Sequence, residues 1–319
     1  MKTGVMGLVM VLIVVACSPT SPTPTPAPSP TTVPTPLAVA KRTSAAPASS
    51  AQVAELHRQA QEALARWDAA VAAGAGGSGF VLVGESTLFV GDDWGPNIDG
   101  NNAKMALYAG LFVAANPLPS EAPPDGTIQW QDGTTHTVPV VSAQQALTDL
   151  KAAGVSPCPD CTPLQITGAR LTTATFQSSR GPAQAPAWEF SLKDTDVKLD
   201  QIAVGGRFMP PPAADQVAQP WVDPAVQSAT VDASGMTLTV TVIGAQYAAD
   251  KPCGADYTAE AVESDNAIVV IVYEHRNVTP AMCTDVGYSR TAQVTLAKPL
   301  ANRTLIDLQA QPISVTAAH

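Results

Sequence analysis

Cys158-Pro159-Asp160-Cys161 has the C-x-x-C spacing at which two thiols can exchange a disulfide with a substrate. Redox chemistry there needs a helix N-terminus behind the first cysteine, because the partial positive charge of that terminus stabilises the thiolate. Here Thr162-Pro163 follows the motif, and the nearest helical pattern, residues 143–153, precedes it. A structural loop disulfide is therefore expected. Zinc would need a second ligand pair, and the four histidines are scattered along the chain. Cys253 and Cys283 complete an even set of cysteines beyond residue 17. Four cysteines allow three connectivities, and proximity along the chain favours Cys158–Cys161 and Cys253–Cys283.

A second candidate is the stretch 91–102, which gathers Asp92, Asp93 and Asp99 beside Asn97, Asn101 and Asn102. Oxygen-rich loops can hold Ca²⁺. The EF-hand register fails, since placing Gly100 at the loop glycine puts Gly95 first and Ala106 twelfth. A solvated turn is expected, with Asp92, Asp93, Trp94, Asn97 and Asp99 as a candidate binding loop. The run 74–79 matches G-x-G-x-x-G, but its glycines follow a helical pattern and precede a strand-like one, the reverse of a dinucleotide fingerprint. Gly84-Glu-Ser86-Thr-Leu88 lacks the second glycine of a nucleophile elbow, and no S-x-x-K occurs. His136 and His275 read as surface residues. Glu260, Glu263 and Glu274 are strand carboxylates whose convergence depends on the fold. No catalytic residue and no cofactor is assigned.

The elements that would position these groups fall into two blocks. Val53, Leu56, Ala60, Leu64, Trp67 and Val71 recur at helical spacing within 51–73, with Glu62 and Arg66 placed to pair on the opposite face. Residues 80–90 alternate like a strand, and 105–115 lean the same way. A hairpin is predicted over 127–140 around Asp132-Gly133, then a short helix over 143–153 capped by Ser142, then strands at 164–177, 187–192 and 197–204. This pattern predicts an N-terminal helix and α+β layer domain over 51–207. The Pro-rich stretch 208–220 lacks periodicity and reads as a linker. From 221 to 319 strands alone follow, including Met236, Leu238, Val240 and Val242 on one face and the continuous apolar run 267–273. The expected class is α+β, with an all-β immunoglobulin-like sandwich as the second domain. No tryptophan lies between Cys253 and Cys283, so only the architecture is expected.

Composition narrows the function. The 319 residues are 45% hydrophobic and only 5% aromatic, and the formal net charge is −10. The only adjacent Lys/Arg pair is Lys41-Arg42, so no basic stripe is available for nucleic acid.

The N-terminus supplies a location. Lys2 precedes an apolar run over 5–16 that is shorter than the ~20 residues a membrane-spanning helix requires. The run ends at Ala16-Cys17, which resembles the lipobox of bacterial lipoproteins. The resemblance implies a signal peptide over 1–17, diacylglyceryl transfer to Cys17, cleavage before it, and palmitate-type acyl chains in the cell membrane. Two or more chains hold stably because each buried CH₂ contributes about 0.8 kcal/mol. An ordinary secretory cut at Ala38-Val39-Ala40 is set too far from the apolar run. Residues 18–50, rich in Pro, Thr, Ser and Ala, read as a disordered tether favouring extended polyproline II.

Further on, Cys161-Thr-Pro-Leu-Gln-Ile-Thr-Gly-Ala-Arg-Leu-Thr-Thr173, Ser179-Arg-Gly-Pro-Ala183 and Pro186-Ala-Trp-Glu-Phe190 resemble the first module of secreted lipoproteins of high-GC Gram-positive, actinobacterial-type bacteria. Cys253-Gly-Ala-Asp256, Ser289-Arg-Thr291 and Pro299-Leu300 resemble the C-terminal module of the same group. The likeness spans most of 51–316 and implies an extracytoplasmic location without an activity. The expected protein is lipid-anchored at the outer face of the cell membrane. It binds an envelope partner or ligand without catalysis; the alternative is an extracytoplasmic thiol–disulfide or other envelope enzyme.

Overall fold

In the computed structural model, residues 50–74, 78–95, 98–208, 210, 224–279, 281–284 and 286–318 are described. Cys17, the tether and Asn97 lie outside them. The described residues all belong to one unit, 43–319.

The first helix, α1 (Ser50–Ala72), buries Leu56, Ala60, Leu64 and Trp67 of the predicted seam together with Ala63, while Val53 and Val71 at its ends are partly buried. The predicted Glu62–Arg66 pair is not the one formed. Arg58 instead bonds Glu55 and Glu62, and Arg66 reaches the Leu308 carbonyl at 3.3 Å. Arg66 is drawn off because α1 lies against another element.

Seven strands make one sheet: β1 (Thr87–Val90), β2 (Phe112–Ala114), β3 (Gly126–Trp130), β4 (Thr135–Val138), β5 (Leu164–Ser178), β6 (Gly181–Leu192) and β7 (Lys198–Ile202). The order is β1-β7-β6-β3-β4, with β5 on the other edge of β6 and β2 parallel to β5. Along β6 the side chains alternate. Trp188, Phe190 and Leu192 face a core covered by α2 (Gly100–Tyr108) and α3 (Ala143–Ala152), while Ala183, Ala185 and Ala187 face a second core holding Phe80, Ile128, Trp130 and Phe176. A bulge between Ile166 and Gly168 shifts the β5 register by one residue. Ile166 therefore sits in the helix-side core while Phe176, of the same parity, sits in the other. The helices α2 and α3 meet end to end where Gly110, at φ 64°, passes the Lys151 carbonyl so closely that a Cβ would collide with it.

The remaining strands form two sheets, β10 (Ala255–Glu263)–β11 (Ala267–Arg276)–β13 (Thr304–Ile306) and β12 (Tyr288–Thr295)–β9 (Thr237–Gly244)–β8 (Val226–Val231)–β14 (Val315–Ala317). Leu238, Val240, Val242, Ala292 and Val294 of one sheet pack on Ile268, Val270, Val272 and Leu305 of the other. The alternate residues of the three-stranded sheet, Ala267, Val269, Ile271 and Ile306, pack on α1 and Phe208. The apolar run at 267–273 is thus continuous because β11 is buried on both faces.

Several expectations change. The α+β class is wrong: among the described residues strands make up 41% and helices 17%, in three helices and several sheets. The amphipathic seam of α1 looked like part of a helical layer, yet it docks on the C-terminal three-stranded sheet, and α2 and α3 only cover part of one sheet face. The immunoglobulin-like expectation, part of the same class, is superseded by two sheets with parallel pairings at β11–β13 and β14–β8 and a helix on an outer face. The strand foreseen over 105–115 is instead the end of α2, a turn and the three-residue β2. Most of the predicted linker lies outside the described residues; its first residue, Phe208, is buried, stacks on Trp67 at 4.1 Å between ring centroids and donates its N–H to the Phe80 carbonyl. The β5–β6 turn also reaches the C-terminal half, where Val315 N–H donates to the Ser179 carbonyl at 3.1 Å.

Candidate functional site

Both predicted disulfides are present, Cys158–Cys161 and Cys253–Cys283, with Cα atoms 5.4 and 5.5 Å apart. The first closes a tight turn in which Cys161 N–H donates to the Cys158 carbonyl at 3.2 Å. Its partly buried Cys161 rests on the helix-side core, and β5 rather than a helix follows. Asn102 fixes the turn from α2: its Oδ1 accepts from Thr162 N–H at 2.9 Å, and its Nδ2 donates to the Thr162 carbonyl. The nearest helix start, the first turn of α2, grips the backbone of Thr162 through Asn102, and the segment that follows the second cysteine is a strand.

The oxygen-rich stretch does not converge. Asp99 caps α2 by accepting from Asn101 N–H at 3.0 Å. Asp93 accepts from Gly95 N–H at 2.9 Å, and its carbonyl takes the Thr195 hydroxyl. Trp94 is half-buried against the helix-side core, and Asp92 is exposed. Among the described residues no three His, Cys, Asp or Glu side chains group as metal ligands.

The strand carboxylates act as clamps. Glu263 takes the Arg303 guanidinium at 2.6 Å and Ala297 N–H at 2.7 Å, and Arg303 also reaches the Lys298 and Pro299 carbonyls. Burial opposes ionisation of Glu263, but the Ala297 amide and Arg303 outweigh it and hold the carboxyl below its ordinary range. Glu274 accepts from the Tyr257 hydroxyl at 2.8 Å and from Arg276 at 2.6 Å, while Tyr257 accepts from Ala245 N–H. Burial pushes the Tyr257 phenol up to about 12. Glu260 takes His57 of α1 at 2.6 Å and the Tyr273 hydroxyl. His275 pairs with the Thr258 hydroxyl at 2.7 Å, and His136 is exposed on β4. These bonds orient strands and loops.

Two features escaped the sequence reading. One is Asp200 on β7, 8% exposed, facing Glu189 across the ladder, with no hydrogen bond to its Oδ1. Arg170 and Lys198 both bond Glu189 rather than Asp200. Burial, and then the Glu189 charge, push the Asp200 carboxyl up. With the folded value raised, the cost of ionised Asp200 is felt above that value and vanishes below the ordinary 3.8. Asp200→Asn should therefore raise the melting temperature at neutral pH, with the gain fading as pH falls toward 4, roughly the ordinary Asp value. Thermal melts of both proteins across that window check this, and a gain independent of pH would show that ionisation is not its source.

The other is the loop end of the C-terminal half. Loops 245–254 and 277–287 are joined by Cys253–Cys283, by Asn277 N–H to the Gly254 carbonyl at 2.9 Å, and by Asn277 Nδ2 to the Ala249 carbonyl at 2.6 Å. Around that joint Ile243, Tyr247, Val278, Met282, Val286 and Tyr288 are all exposed, Met282 at 94% and Val278 at 69%. Large apolar side chains grouped around crosslinked loops and the strand ends beside them are the mark of a contact surface. Comparison with protein-family models, curated proteins and solved structures gives no match. The geometry of these loops therefore carries the functional argument alone. Their exposure could not be read from sequence, because Val278 and Met282 follow an apolar strand and could equally have continued the core.

Proposed function

We propose that this protein is a non-enzymatic interaction module of the bacterial cell envelope, lipid-anchored through Cys17 at the outer face of the membrane and engaging a partner through the disulfide-joined loops 245–254 and 277–287. The observation that supports binding is the exposure of Val278 and Met282 beside loops that a disulfide and two hydrogen bonds from Asn277 tie together. Leaving such side chains in water forgoes about 1.5–3 kcal/mol each, which a partner can recover. The clamped carboxylates and the structural C-x-x-C turn favour binding over catalysis. The lipid anchor is supported by the Ala16-Cys17 lipobox resemblance, and the disulfides suit an oxidising compartment.

The test uses the exported full chain in three forms: wild type, Cys17→Ala and the double variant Val278→Asp/Met282→Asp. Wild type is expected in the membrane fraction with an envelope component retained after mild detergent. Cys17→Ala should leave the membrane fraction. The double variant should stay in it, melt as wild type does, and lose the retained component. Equal retention by wild type and the double variant would remove the loop surface from the reading, and membrane-bound Cys17→Ala would remove the anchor.

A further inference from the structure

The seven-stranded sheet outruns its cover. Strands β5 and β6 are 15 and 12 residues long. Toward one end their helix-side face carries Trp188 and Phe190 beneath α2 and α3. Toward the other end the same face carries Thr173, Thr175, Gln177 and Gln184, all exposed, because the bulge at Ile166/Gly168 turns the odd-numbered residues of β5 to this side. Gln129 of β3, Gln184 of β6 and Thr175 of β5 stand in register across three strands. Gln184 Nε2 donates to the Thr175 hydroxyl at 2.6 Å. With Trp130, Gln131, Pro182 and Ala183 they line a solvent-open depression of about 180 Å³.

We propose that this depression binds a neutral carbohydrate unit. Its polar side chains are three carboxamides and one hydroxyl, with no ionisable group. The charges on the adjoining turns, Arg180 and Asp132, pair with each other at 3.5 Å, and Arg180 lies 4.3 Å over the Trp130 ring. Each carboxamide offers two donors and an acceptor on a short side chain. A polyol meets that pattern, since every hydroxyl both donates and accepts. An anion would find no cation in the lining and a metal ion no carboxylate. An apolar ligand would strip water from three amides and return no hydrogen bonds. Pro182 adds an apolar wall of the kind that the C–H face of a pyranose covers. The volume is below the ~300 Å³ at which drug-sized pockets begin, so a single ring is held. A shallow open site of this kind binds in the millimolar range. The site lies on the first sheet and rests neither on the loop surface nor on the lipid anchor.

The test follows the side-chain amide resonances of the full chain, with disulfides intact, during titration with maltotriose, mannotriose and the N-acetylglucosamine trimer, and with trigalacturonate as the charged counterpart. Saturable shifts centred on Gln129, Gln131 and Gln184 are expected with at least one neutral probe, at a Kd of about 1–10 mM. Gln184→Ala should weaken that binding about fivefold, the loss of one hydrogen-bonding group, with an unchanged melting temperature. Absence of a saturable shift with all three neutral probes overturns the proposal. So do shifts centred elsewhere, trigalacturonate binding as tightly, or an unaltered Kd in Gln184→Ala.

Discussion

Replacing Trp67 by alanine should cost about 3–5 kcal/mol of stability, the range for emptying a buried aromatic site. Trp67 is 1% exposed and stacks on Phe208 at 4.1 Å. Its neighbours along α1, Leu56, Ala60, Ala63 and Leu64, lie on Ala267, Val269, Ile271 and Ile306. The indole therefore fills the junction of α1, the three-stranded sheet and the chain leaving the seven-stranded sheet. Small side chains such as Ala60, Ala63 and Ala267 bring the backbones close and leave little freedom for collapse into the gap. The loss should appear in urea unfolding of the whole chain. Arg58→Ala, on the exposed face of the same helix, should stay within about 0.5 kcal/mol. A Trp67→Ala loss below about 1 kcal/mol, under the usual range for core truncation, would mean that α1 does not hold the sheet.

Breaking Cys253–Cys283 should destabilise the protein more than breaking Cys158–Cys161. The two cysteines are 30 residues apart, against three for the first pair. Loop-closure entropy gives about 3.5 kcal/mol for the longer loop and about 2 for the shorter. The location sharpens the difference. Cys253–Cys283 ties two loops with few other crosslinks, whereas the Cys158–Cys161 turn is also held by both Asn102 bonds to Thr162. Cys253→Ser should also loosen the display of Val278 and Met282, so partner retention should fall together with melting temperature. Thermal melts of Cys253→Ser and Cys161→Ser, with non-reducing peptide mapping of wild type, decide it. A larger drop for Cys161→Ser, or Cys253 found as a free thiol in exported protein, would defeat the expectation.

The sequence was informative where one residue pattern admitted one physical outcome. The seam of α1 follows from spacing, and of three possible cysteine connectivities the one favoured by proximity is the one formed. The β11 run is apolar at successive positions because both of its faces are covered. What covers them was hidden, because an amphipathic seam ending in Trp67 fits any apolar face and nothing local distinguishes the near sheet from one some 200 residues away. The parity of β5 was hidden as well. A one-residue bulge reassigns Thr173, Thr175 and Gln177 to the side of Trp188, and Thr167-Gly168 gives little warning of it. The start of α2 was obscured because Asp99, its cap, sat among so many Asp and Asn residues that the stretch read as a turn. At the sites, residue type was readable but engagement was not. Glu260, Glu263 and Glu274 were visible as strand carboxylates, and only the fold shows each already committed to an Arg, His or Tyr partner.

The docking of α1 on β11 also bears on how the chain matures. The segment 267–273 is β-branched and uncharged, the composition that stacks into intermolecular sheets when left open. Its cover is made nearly 200 residues earlier, so a chain synthesised from its N-terminus presents α1 before β11 emerges. The helix is therefore in place to cover one face of the strand as soon as that strand is made. Without it, β11 would emerge with one apolar face bare, at the stage when a new chain is least folded. The yield of soluble protein should follow the integrity of α1 more steeply than equilibrium stability does.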